Sequence, residues 1–223
     1  MATALIKTKD TRVSYKDAQG MLVTLYQRGQ NGWVLEEDTY DIFAIVGDTL
    51  SITEDEESTD ETMHEFSDEN LEENTTKGNL NFSADCTDYQ DSVLKKIYGY
   101  TESNGVLIAP SEYKDRYALI QILFDHDLGQ RDIVLPFVKL NARPTLEGMR
   151  TGTATGTITG IAKTRECVTF EGATAPSTYT KASVEEGPMM FVPEGSGVMV
   201  ASGSGMTYVN PTDASQSSAT LGS

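Results

Sequence analysis

Short apolar or alternating runs recur along much of the chain, and the alternation is strictest at 79–86. In NLNFSADC, Leu80, Phe82, Ala84 and Cys86 alternate with Asn79, Asn81, Ser83 and Asp85. That pattern predicts a strand with one buried face, and it puts Cys86 on the buried side. MLVTLYQ (21–27) follows TRVSY and the turn signal KDAQG, which predicts a hairpin over 11–27. YDIFAIVG (40–47) reads as another strand. YALIQILFDH and DIVLPFVKLN flank the turn DLGQRD and predict a second hairpin. Pro136 lies inside that hairpin. It has no N–H to donate to a ladder, so an edge position or a bulge is expected there. GVLIAP, TGTATGTITGIAKT and CVTFEG complete the strand set.

The period changes in TDYQDSVLKKIYGY, where Val93, Leu94, Ile97 and Tyr98 recur at helical spacing. A short helix over 88–98 is predicted. Asp88 would be its N-cap, Asp91 would favour the first turn, and Lys95, Lys96 and Gly99 are stop signals.

Two stretches break the strand pattern. SITEDEESTDETMHEFSDENLEENTTKG (51–78) holds eleven acids, one Lys and one His, with almost no apolar residue after Ile52. It reads as an acidic inter-strand loop. Its acids are Glu54, Asp55, Glu56, Glu57, Asp60, Glu61, Glu65, Asp68, Glu69, Glu72 and Glu73. From Glu171 to Ser223, 32 of 53 residues are Gly, Ser, Thr, Ala or Pro, so little burial per residue is expected. The predicted organisation is a β domain over 1–170 and a C-terminal extension or linker over 171–223. MMFVPEG and GVMVAS can form a terminal hairpin within the latter.

Charge narrows the function classes. The formal net charge is −17. A nucleic-acid binder must neutralise phosphates with Lys and Arg, so direct affinity for that backbone is not expected. Residues 51–78 carry ten of the seventeen net negative charges, from eleven acids and one Lys. There is no apolar window of membrane-spanning length and no signal-peptide pattern, so synthesis and folding in a cytoplasm are expected. Cys86 and Cys167 predict two buried free thiols rather than a disulfide framework.

No catalytic or metal constellation emerges. His64 sits in MHEFS without the second His a zincin helix needs. DHDLGQRD lacks the twelve-residue calcium loop and its final Glu. GTATGTITG spaces glycines at 152, 156 and 160 with no Lys-Ser/Thr after them, so a strand closely approached by another backbone is the better reading. The acids lie in polar runs rather than in the apolar settings that tune glycosidase carboxylates. No enzyme activity, metal or cofactor is expected.

YDIFAIVGDTLSITEDEE, NLNFSADCTDYQDSVLKKIYGY, YALIQILFDHDLGQRDIVLPFVKL and TGTATGTITGIAKT, in that order, resemble the major tail (tail tube) proteins of long, non-contractile-tailed bacteriophages. The resemblance covers about residues 1–170. It implies a mainly β fold, a β-sandwich or small barrel with one flanking short helix. It implies self-assembly into hexameric rings, stacked into a virion tail tube, an acidic conduit through which DNA passes without specific binding. It implies tail-terminator, tape-measure and distal tail proteins as partners, and makes 51–78 an inter-subunit, inter-ring arm. Eleven acids per subunit would repel one another in a narrow channel, which favours the ring-to-ring seam for most of 54–73. Two other readings stand beside this one. One is a tail-terminator or head–tail connector ring. The other is a glycan-binding β-sandwich, for which Trp33 would be the exposed aromatic; otherwise Trp33 is a core or interface anchor.

Overall fold

The computed structural model describes residues 18–42, 45–46, 48–56, 58–63, 70–76, 78–87, 89–145, 155–172, 174–209 and 216–222. In chain order the first elements are β1 (Gly20–Gly29), β2 (Gly32–Ile42), β3 (Ser51–Glu54), β4 (Ser58–Met63), β5 (Asn70–Thr76), β6 (Leu80–Cys86) and α1 (Asp91–Lys96). Next come β7 (Thr101–Ser103), β8 (Val106–Ile108), β9 (Arg116–Leu123), β10 (Asp132–Thr145), β11 (Thr155–Ala162) and β12 (Arg165–Glu171). The last are β13 (Thr178–Tyr179), β14 (Val184–Gly187), β15 (Met190–Val192), β16 (Ser196–Ser202), β17 (Gly205–Val209) and β18 (Gln216–Leu221). The fold is mainly β, with several sheets and one short α-helix among the described residues.

The principal sheet runs β2-β1-β9-β10-β11-β6-β3, antiparallel throughout, with β15 pairing the start of β10. Ile42 ends β2 at one side of the sheet, and Ile45 already bridges Cys86 on β6 near the other. Three residue steps span at most about 11 Å. The two sides are therefore drawn together, and the sheet curls into a half-barrel. Its concave face holds the largest core, including Val23, Phe82, Ile120, Leu135 and Ile158, with Val93, Ile97 and Tyr98 of the helical segment closing one end.

The expected 116–140 hairpin is β9 and β10. The bulge falls at Pro136: Leu135 pairs Ile120 but Val138 pairs Ala118, so β10 carries one extra residue. The Pro136 carbonyl accepts a hydrogen bond from the buried Tyr26 hydroxyl at 2.9 Å. On β11, a Cβ at Gly156 would stand 2.2 Å from the Tyr98 hydroxyl oxygen, and one at Gly160 would stand 2.8 Å from the Lys139 carbonyl oxygen. Close approach, not phosphate binding, accounts for these two glycines.

Three expectations are revised. The helix is shorter than 88–98. Its N-cap is Gln90, which makes no side-chain cap bond, and Asp88 lies outside the described residues. The other end is capped by a tertiary contact: the Arg116 guanidinium donates to the carbonyls of Lys96 and Ile97 at 2.6 and 2.8 Å. Second, β1 forms its hairpin with β2, through Arg28↔Trp33 and Gly29↔Gly32; residues 11–17, expected to pair with 21–27, lie outside the described residues. Third, the described residues after 170 are largely folded into strands. β12, β14, β16, β17, β18 and β13 form a second sheet in the order β13-β18-β17-β16-β12-β14. The segments of the expected terminal hairpin separate: β15 joins the principal sheet while β16 pairs β12 and β17.

The second sheet stacks on the convex face of the first. Cys167, Val198 and Val200 meet Tyr26, Leu119, Val134 and Phe137 across the seam. Its other face covers a small cluster of Val168, Met199, Met206 and Ala219.

Candidate functional site

The acidic segment is a two-stranded ribbon where it is described, not a loop. β3 pairs β6, with Ser51↔Ser83 and Glu54↔Leu80. β4 pairs β5, with Ser58↔Thr76 and Thr62↔Glu72. The residue numbers of each of these pairs sum to 134. The backbone bond from Asp55 N–H to the Asn79 carbonyl, at 2.9 Å, falls on the same diagonal. One register therefore runs from 51/83 to 62/72, and it shifts only at Met63↔Asn70. From Ser58 to Thr62 the paired strands advance about 13 Å.

Two contacts set its neck. The Asn81 side-chain amide donates to the Asp55 carboxylate at 2.7 Å. A Cβ on Gly78 would stand 2.0 Å from the Asp55 carbonyl oxygen, so only glycine fits there. Below the neck, Ile52 faces Phe82, and Phe82, Ala84 and Cys86 are buried. Thr49 and Thr157 hold the far end of β6: the Thr157 hydroxyl donates to the Asp85 carboxylate at 2.7 Å, and the Asp85 N–H donates to the Thr49 hydroxyl at 3.1 Å.

The predicted acids distribute along this ribbon. Glu54 closes β3, and Asp55 and Glu56 follow it, all three exposed. Asp60 and Glu61 are on β4, and Glu72 and Glu73 are on β5. Glu61 is directly opposite Glu73, a like-charge pairing that weakens a ladder. Glu57, Glu65, Asp68 and Glu69 lie outside the described residues.

Trp33 sits elsewhere, half-buried at the seam between the sheets. Its ring centroid is 4.5 Å from that of Tyr117 and 6.0 Å from that of Phe137. Arg165 completes the cluster. Its guanidinium donates to the Ala201 carbonyl at 2.7 Å and the Trp33 carbonyl at 3.2 Å, and lies over the rings of Phe137 and Tyr26. An indole packed this way joins two sheets rather than presenting a flat face to a sugar. Cys167 lies in the same seam, where burial pushes its thiol up to about 12; such a group is inert at neutral pH.

No protein-family model matches the chain, and neither does any curated protein or solved structure. Among the described residues no group of His, Cys, Asp and Glu is arranged to hold a metal ion. No helix there is long and apolar enough to cross a membrane.

Sequence reasoning missed Gly78 and Asn81 as the neck of the ribbon. A signal was present: the polar run stops at a glycine directly ahead of a strongly alternating strand. It also missed an open groove of about 1130 Å³ between the 108–116 segment and strands β6, β10 and β11. Those lining residues are scattered over eighty positions of sequence, with no shared motif.

Proposed function

We propose that this chain is a virion structural protein that polymerises as stacked hexameric rings into a phage tail tube. The observation that carries this reading is the ribbon. It is an acidic, two-stranded arm that keeps the register of the β3–β6 pair that roots it, and among the described residues β4 and β5 pair only with each other. An arm of this form serves contact with other subunits better than it serves the stability of its own chain. The outer edge of β3 supports the reading, since among the described residues β3 pairs β6 alone and offers that edge to strand addition by another copy. The net charge of −17 suits a conduit for DNA, because phosphates near like charges find no binding minimum. The subunit is then an assembly protein of the virion tail, without catalytic chemistry of its own, and meets terminator, tape-measure and distal tail proteins at the tube ends and lumen.

The test replaces residues 55–79 with Asn-Gly, a two-residue turn suited to joining the paired Glu54 and Leu80. The expected product is a folded monomer that forms no tubes under negative-stain electron microscopy, whereas the full chain forms them. Normal tubes from the shortened chain would overturn the arm's role. Single rings from the full chain would point to a terminator or connector instead.

A further inference from the structure

We infer that the groove beside the helix is the receptor for the acidic ribbon of a second copy of this chain. The inference rests on the self-assembly reading and adds the surface that receives the arm. The groove, about 1130 Å³, exceeds the usual range of small-molecule pockets, about 300–1,000 Å³, and lies open. Its floor is apolar, with Tyr98, Phe82 and Leu140 all buried. Its lips carry two of the few large apolar side chains exposed among the described residues, Ile108 at 50% and Tyr113 at 49%. Its rim is basic in an otherwise acidic chain: Lys114, Arg116, Lys139 and Arg143 outnumber Glu112 and Asp115. Asp115 is already engaged by Lys139 at 2.8 Å, and Arg116 by the helix carbonyls. Lys114 and Arg143 are exposed, and Arg143 lies over the Tyr113 ring.

Charge complementarity selects the occupant. Asp60, Glu61, Glu72 and Glu73 lie on the strands of the ribbon, in a segment that holds ten of the chain's seventeen net negative charges. The same chain's ribbon is a poor occupant. It departs in line with β6, whose Asn81, Phe82 and Ser83 form one wall of the groove. Folding back over that wall would break the register at 55/79. A neighbour's ribbon enters without that distortion, with its carboxylates against the basic rim.

The test is a charge swap in the full chain. Lys114→Glu with Arg143→Glu reverses the rim, and Glu61→Lys with Glu73→Lys reverses the ribbon. Each pair alone should raise the protein concentration needed for tube formation about tenfold or more, as like charges across an interface do. Mixing the two variants should restore assembly between them. A second arm uses Arg143→Cys mixed with Glu73→Cys under mild oxidation, expected to give an inter-chain disulfide within the tubes. Tubes from the rim variant at wild-type concentration, with no such disulfide, would overturn the groove assignment and leave the tube reading standing. A full chain that forms no tubes at all would overturn both.

Discussion

The base and the outer half of the ribbon share one register and differ in everything else. At the base, Ile52, Phe82, Ala84 and Cys86 turn into the half-barrel core. In the outer half, β4 and β5 read STDETM and NLEENTT, with a glutamate opposite a glutamate. Hydrophobic burial therefore holds the base, while the outer half inherits its pairing from the strands that feed it. A strand need not show a strand's residue pattern if its neighbours in sequence have already fixed its alignment.

Breaking the base should have the largest effect. Phe82→Ala removes a buried ring at the root of the ribbon and is expected to cost about 3–5 kcal/mol in chemical denaturation. Gly78→Ala should come next, at about 1–3 kcal/mol, because its methyl group would overlap the Asp55 carbonyl. Its decisive readout is local: amide exchange across β4 and β5 should accelerate while that of β9 and β10 is unchanged. Without any mutation, β6 amides of the free subunit should exchange far more slowly than those of β4 and β5. If the chain assembles into tubes as proposed, that gap should narrow in them. The smallest effect belongs to Glu73→Lys in the free subunit, which replaces a like-charge pair with an opposite one. A gain of about 0.2–1 kcal/mol is expected, seen as slower ribbon exchange at low salt and less at high salt.

This contrast also explains what was legible in the sequence. The strand at 80–86, the hairpin around 126–132 and the Pro136 bulge could be read because each has a local physical cause: one buried face, a turn, a missing donor. The ribbon could not, since Asp, Glu and Asn are poor strand formers and only the β3–β6 pairing dictates their conformation. The second sheet was hidden for a different reason. Its Gly/Ser-rich strands bury only the small cluster of Val168, Met199, Met206 and Ala219 on one face, and lean on the convex face of the principal sheet for the rest. The capping of the helix C-terminus could not be read either, because its donor Arg116 lies twenty residues beyond Lys96. The groove is a product of the fold alone.

The Arg165 seam carries a pH signature that separates the sheets from the ribbon. Burial raises the Cys167 thiol to about 12, above its unfolded value, so the stability it contributes is complete below that unfolded value. It is lost as pH climbs towards 12. Alkylation at pH 8 should consequently be slow in the folded chain and fast after denaturation. The seam should fail at high pH in the Asn-Gly variant just as in the full chain, since the ribbon takes no part in it.

The shared diagonal of the ribbon turns its length into a ruler. One residue added to a single strand between 55 and 62 would swap the two faces of everything beyond it, unless a residue were added between 72 and 79 to match. Two residues added to each strand would keep the faces and carry the tip about 7 Å farther out. The reach of the ribbon can therefore change only in paired steps.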